Sequence, residues 1–489
     1  MAGKKPFLTG EDLKIAFNLF CCVYGIGTLG MPANFSRSGP VIAVIALLFM
    51  ACANVYSSVV ISKLMLIAPR SVRTFGDLGE WSMGKTGRWL VVIAQMAVCI
   101  LTPCAFLVLG GTLLDGLFPG AFESWVWIIL MAVLCVPVCL TPTLKEGAGA
   151  ALAGCIGTLV GDIIGVALLM HGMSGHGTIP KPDIKLEQVA MMFGNLSLAY
   201  GAGVVIPALQ RQHSEPTRMP RVVFVTLTFI SVLFLILAST GYSAVGCQIS
   251  GNLLFTIYSN PSNPLTKLGF TSDWGAVVIA YLGMQTHITI AFSVLLHPSF
   301  FIVERLFLGM HKRKPEDLEA LYHAADTPAT GEDKLRLSSK GSVVSMADVE
   351  NDHETEEEES EAYRGQAHKY IPARLVIIAI CVVASVLLRD HFLDLSDFVG
   401  ASAITLSCII LPIIFYLKKM WTTVPLYEKI PGLIIVLVCL VLGVYVTIKT
   451  GKNLFNPDEV APDAPKFAFC KAENQYEVYY NSTAAALGN

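Results

Sequence analysis

The sequence predicts an all-α membrane protein of eleven transmembrane helices, two five-helix halves plus one extra helix. Three observations carry that expectation. First, 54% of the 489 residues are apolar and the mean hydropathy is +0.61. Only 15% are charged, and 23 of the charged residues fall within 310–370, so the rest is too poor in charge to cover a water-facing surface. Second, the apolar residues form long continuous runs rather than alternating ones, which excludes a membrane β-barrel. Third, the first and sixth runs carry the same interruption, Tyr-Gly-x-Gly followed by proline. This composition argues against a water-soluble enzyme, and a net charge of -3 with no basic stripe argues against a nucleic-acid partner.

A helix that crosses a bilayer needs about 20 mostly apolar residues. Eleven segments qualify, at 12–36, 40–68, 88–114, 124–141, 150–172, 188–210, 221–246, 274–303, 372–389, 397–417 and 430–450. Residues 1–11 form a short N-terminal arm, and the first apolar segment reads as a retained helix rather than a cleaved signal. The fourth segment is shortened by Pro137 and Pro142. Spans one to eight occupy 12–308, the connection 309–370 separates them from spans nine to eleven within 371–450, and 451–489 is a tail. The connection is polar and includes an acidic run from Glu354 to Glu359, so it reads as disordered, with room for a regulatory partner.

Lys and Arg set the orientation. One set of alternate loops, with the tail, holds nine of them, and the other 25 lie on the N-terminal side. The N-terminus is therefore expected in the cytosol and the C-terminus outside or in a lumen. Asn481-Ser482-Thr483, a glycosylation sequon, falls on that outer side. So do Cys247 and Cys470, the two of the thirteen cysteines that matter most, because a disulfide between them would persist there. Free thiols are the alternative.

The interruptions are the most informative feature. The first span reads Tyr24-Gly25-Ile26-Gly27-Thr28-Leu29-Gly30, then Pro32. The sixth reads Tyr200-Gly201-Ala202-Gly203-Val204, then Pro207. Glycine weakens helix, and proline removes a donor and disrupts the turn before it. Unwound backbone at membrane depth must line a cavity or a ligand. Amides that begin one half-helix and carbonyls that end the other suit the carboxylate and ammonium of a zwitterion. Broken helices at matching places in two halves point to the binding site of a secondary transporter.

These stretches resemble a known family. Asn18-Leu19 followed by Gly25-Ile26-Gly27-Thr28-Leu29-Gly30-Met31-Pro32 is similar to the first-helix signature of the amino acid/auxin permeases, within the amino acid–polyamine–organocation superfamily. Tyr200 to Gln210 with Glu215-Pro216 and Pro220 is similar to their sixth-helix break and following loop. The resemblance covers roughly 10–450 and implies a LeuT-like five-plus-five inverted repeat, working by alternating access on an amino acid. By similarity to sodium-coupled members, Asn18 with Thr286, Thr289 and Ser293 of the eighth helix are candidates for a coupling ion. Several members carry Gly-His in the sixth-helix break, where this chain has Gly201-Ala202, so no histidine role transfers there.

Other polar residues also lie in the spans. Asp162 in the fifth is a candidate proton carrier, because an ionisable group at that depth is costly. His287 in the eighth is a titratable group or a helix-contact residue. Glu304-Arg305 reads as an interfacial pair, and Tyr24 and Tyr200 stand beside the breaks. The expected function is a proton- or sodium-coupled amino acid symporter in a plasma, vacuolar or lysosomal membrane, with no resident cofactor or metal. Two alternatives stay open: transport of a polyamine or auxin-like acid, and an amino acid sensor signalling through 309–370. No enzyme constellation occurs in the spans.

Overall fold

The computed structural model describes residues 6–69, 72, 74–141, 148–175, 179–201, 203–260, 262–310, 363, 365–456 and 465–479. Most of the 309–370 connection, Ala202 and Asn481 lie outside the described residues. The chain divides into two compact units, 1–298 with 378–489, and 299–377.

In the larger unit, α1 (Gly10–Val23) starts from a capping box, in which Thr9 Oγ1 accepts from the Asp12 amide and the Asp12 carboxylate accepts from the Thr9 amide. The helix stops at Tyr24-Gly25 and resumes as α2 (Ile26–Leu29) and α3 (Met31–Ser38), bent by 48°. α4 (Pro40–Ile67) follows after Gly39. α5 (Phe75–Leu117) starts well before the expected 88. Gly84, at φ 73°, joins two helices across a kink there, a conformation glycine adopts without steric cost. α6 (Ser124–Cys139), α7 (Ala148–Gly172) and α8 (Leu186–Ala199) come next. α8 stops at Tyr200, and α9 (Ile206–Arg211) begins with Pro207 in its first turn.

α10 (Met219–Val245) packs on α1, α3, α4 and α7 and so lies along the bent first helix. α11 (Leu253–Ile257) and a hairpin of Ser259–Asn260 with Asn263–Thr266 lead to α12 (Trp274–Leu306). α13 (Ala367–Leu387), α14 (Phe392–Val399), a π-helical stretch Gly400–Ile410, α15 (Leu411–Lys419) and α16 (Leu426–Phe455) complete the helices. α7 and α12 meet backbone to backbone, because methyl groups at Gly157 or Gly283 would collide with the other's carbonyl.

Among the described residues, eight helices are long and apolar enough to cross a bilayer, or nine if the bent α1–α3 is one span. The chain is a multi-pass, all-helical membrane protein. The two expected spans that fall short do so for local reasons. α6 has 16 residues and carries Pro137, and α8 is cut at Tyr200 by its own turn.

The tail is pinned by a Cys247–Cys470 disulfide, with Cα atoms 5.2 Å apart. Around it the Asp183 amide donates to the Phe469 carbonyl at 2.9 Å, and Gln248 Nε2 donates to the Glu477 carbonyl at 2.8 Å.

Within the smaller unit, Arg374 is fully buried among Phe300, Tyr363 and Tyr370 and donates to Glu304 at 2.9 Å. Tyr363 donates to the other Glu304 oxygen at 2.8 Å. Glu304 is therefore a buried, multiply bonded carboxylate rather than the interfacial partner expected from its neighbour Arg305.

Candidate functional site

The interruptions of α1 and α8 converge. α2 packs on α8, and a methyl group at Gly27 would stand 2.6 Å from Ala199 Cα. One turn on, Gly30 lies against Asn195, whose Oδ1 accepts from Asn34 Nδ2 at 2.9 Å. At Gly27 the Ala199 backbone leaves no room for a Cβ, and at Gly30 a Cβ would collide with the Asn195 side-chain amide. Tyr24 stacks on Phe234 of α10 with centroids 5.7 Å apart, and Tyr200 meets the same ring edge-on at 5.2 Å. The Tyr200 hydroxyl also bonds Ser231 at 2.7 Å.

Between them lies a cavity of about 10 Å³, room for roughly one water. α1 and α2 contribute Cys22, Val23, Gly25, Ile26 and Gly27 to it. Leu198 and Gly201 enter from the second interruption, Thr102 and Phe106 from α5, and Leu295 from α12. Main-chain polarity around the breaks is capped from within. The Gly25 carbonyl accepts from the Thr28 amide at 2.9 Å and from its hydroxyl at 2.8 Å. The Val204 carbonyl accepts from Gln95 Nε2 at 3.2 Å.

Asp162 reaches this place from α7. It is 2% exposed, accepts from the Thr28 hydroxyl at 3.3 Å, and lies beside the Tyr24 hydroxyl. His287 reaches it from α12. Its ring is fully buried, its Nδ1 is 4.0 Å from Cys21 Sγ, and its Nε2 faces Gly25 so closely that a Cβ there would overlap it. Among the described residues, none bonds that Nε2.

The remaining candidates do not gather at the break. Asn18 is buried but donates back to the Lys14 carbonyl at 3.2 Å. Thr286 is exposed on α12 and bonds the Leu282 carbonyl, and Thr289 bonds the Gln285 carbonyl, both at 2.9 Å. Ser293 donates to the Val138 carbonyl of α6 at 3.0 Å. The α12 face that meets the break is the one carrying His287 and Leu295, so the register of the three hydroxyls points them elsewhere.

Two ion pairs bracket the first broken helix. At its far end Arg37 donates to Asp397 of α14 at 2.9 Å, both nearly fully buried, with Arg37 over the Phe469 ring of the tail. At its near end Asp12 binds Arg218 at 2.6 Å and His213 at 2.7 Å. From sequence alone Arg37 reads as a loop residue, yet it sits inside α3. Its signal was an arginine only five residues after Pro32, too close to have left the membrane region.

Comparisons with known proteins agree with this architecture. The sequence profile described as "Transmembrane amino acid transporter protein" matches residues 10–452. The amino acid transporter AVT1I of Arabidopsis thaliana is 24% identical over 52% of this chain and 67% of its own length. The amino acid transporter ANT1 of the same plant is 21% identical over 90% of this chain and 93% of its own. The vacuolar amino acid transporter 7 of Saccharomyces cerevisiae is 26% identical over 61% and 60%. Among solved structures, a manganese transporter of Eremococcus coleocola superposes with a TM-score of 0.51 at 12% identity over 92% of this chain and 89% of that one. MhsT in complex with L-phenylalanine superposes at 0.50 with 13% identity, over 90% and 98%. At such identities these likenesses show the fold alone.

Proposed function

The chain belongs to the transmembrane amino acid transporter family, and from that membership we propose that it is a secondary active amino acid transporter working by alternating access. The observation that carries the reading is the convergence of two interrupted helices on one small cavity. In this reading the eleven helical segments form two five-helix halves plus α16. The substrate's carboxylate takes the Ile26 and Gly27 amides that open α2, ahead of the Thr28 amide already held by the Gly25 carbonyl. Its ammonium takes carbonyls at the ends of α1 and α8. The Arg37–Asp397 and Asp12–Arg218 pairs close the two ends of the path, and breaking one or the other opens one side at a time.

The proposed coupling ion is a proton. A sodium ion needs several oxygens gathered at one point in place of its hydration shell, and Thr286, Thr289 and Ser293 each bond elsewhere. Asp162 and His287 instead bring one titratable group each to the break. The proposed setting is a vacuolar or lysosomal membrane, the N-terminus cytosolic and the disulfide-bonded tail lumenal. The yeast relative's name and the Cys247–Cys470 bond support it. Uptake of labelled amino acids into proteoliposomes, under proton or sodium gradients imposed separately, tests the proposal. Uptake driven by sodium alone refutes proton coupling, and no uptake under either gradient refutes transport.

A further inference from the structure

Main-chain contacts recognise only what all amino acids share, so the cavity's side chains must decide which are carried. Those side chains are apolar almost throughout. Val23 and Ile26 of the first broken helix, Leu198 of the second, Phe106 of α5 and Leu295 of α12 line it, and Thr102 adds one hydroxyl. Among the described residues, no Lys, Arg, His, Asp or Glu lines it. Asp162 is engaged with Thr28, and His287 lies behind the Gly25 backbone. Arg37 and Asp12 are committed to their own partners at the two ends of the helix.

We propose that this site selects small amino acids with uncharged side chains, with Phe106 and Leu295 setting the size limit. The inference rests on the reading of the protein as an amino acid transporter and deepens it. Two physical effects produce the selection. A substrate carrying a second charge would bury it among Val23, Leu198, Phe106 and Leu295 with no counter-charge, a cost far above that of burying a methyl group. An uncharged aliphatic side chain gains on entering, roughly fourfold in affinity per buried methylene. The gain ends where space ends. The closed cavity holds about 10 Å³, so a side chain is accommodated only as the lining moves apart. The bulky Phe106 and Leu295 then cap the side-chain length that still permits closure. Threonine at 102 tolerates a substrate hydroxyl without demanding one, which places serine beside alanine in the accepted class.

The test is competition and uptake in proteoliposomes with alanine, serine, leucine, phenylalanine, lysine and glutamate, for the wild type and for Phe106→Ala and Leu295→Asp. Folding of each variant is checked by its thermal unfolding in detergent. The expected wild-type order places alanine and serine first, with lysine and glutamate at least tenfold lower in kcat/KM. Phe106→Ala is expected to move preference toward leucine and phenylalanine by at least roughly tenfold, since even one methylene-sized contact gives about that much discrimination and a whole ring is removed here. Leu295→Asp is expected to raise lysine relative to alanine. Uptake led by lysine or glutamate in the wild type overturns the substrate class while leaving transport standing. An unchanged preference in a folded Phe106→Ala overturns the placement of the size limit. Absence of both uptake and amino-acid-induced thermal stabilisation in the wild type overturns the transporter reading and the selectivity with it.

Discussion

Replacing Asp397 by Asn tests whether the Arg37 pair holds one end of the path shut. Both members are nearly fully buried, with Arg37 Nε unpartnered already. Removing one member of such a pair costs about 3–5 kcal/mol, because the other charge stays desolvated. The cation–π contact with Phe469 is the same in wild type and variant and cancels in the difference. The whole of about 3–5 kcal/mol therefore stands against the closed state, which opening relieves by letting water reach Arg37. At 1.4 kcal/mol per tenfold, the balance shifts toward the open form by roughly 140- to 3,700-fold. Cys22 lines the cavity and serves as a native reporter. A membrane-impermeant thiol reagent, applied from the side of the tail, should label it faster in Asp397→Asn, read by peptide mass spectrometry. The double variant Arg37→Met/Asp397→Leu should return labelling toward the wild-type rate, since an apolar pair carries no desolvation cost. Labelling of Cys22 within twofold of wild type in the folded single variant refutes the closure argument.

Other consequences can be checked with the same preparation. Gly27→Ala places a methyl group 2.6 Å from Ala199 Cα and should cut uptake more than tenfold, whereas Gly149→Ala, with nothing within 4 Å, should leave it unchanged. Equal effects would dissociate uptake from the meeting of the two interruptions. Asp162→Asn should abolish acceleration by a proton gradient while substrate exchange at equal pH persists; retained gradient dependence removes Asp162 from coupling. Cys247→Ser should expose residues 465–479 to protease added on the tail side, and a protection pattern like wild type would show the tail held without the disulfide.

The long apolar helices and the stops at Tyr24 and Tyr200 were legible because each rests on a local rule. Twenty apolar residues make a span, and glycine with proline unmakes one. The Cys247–Cys470 pairing was one of two open readings, since the sequence left free thiols as the alternative, and the structure shows the bond. Contacts set by helix rotation were not. Thr286, His287 and Thr289 lie within one turn, and only packing against the Gly157–Gly283 contact decides that His287 turns to Gly25 while Thr286 turns outward. The resemblance to sodium-coupled members favoured the hydroxyls. Nor does any local rule pair residues as distant as Arg37 and Asp397, or Glu304 and Arg374, since both pairs depend on the tertiary arrangement.

The capped carbonyls bear on how an empty carrier returns. A transporter that works by gradient must close without substrate, and unwound backbone left bare in that state would cost about 1–3 kcal/mol for each unsatisfied group. Thr28 on Gly25 and Gln95 on Val204 remove that cost by offering internal donors where an ammonium would otherwise stand. Gln95→Leu strips the donor from Val204 and penalises only the empty closed form. Net uptake, which needs the empty return, should therefore fall by roughly 5- to 150-fold. Exchange, in which substrate occupies the site in both directions, should fall far less. If the two rates fall together in a folded Gln95→Leu, Gln95 supports the site as a whole and the internal donor is not a stand-in for substrate.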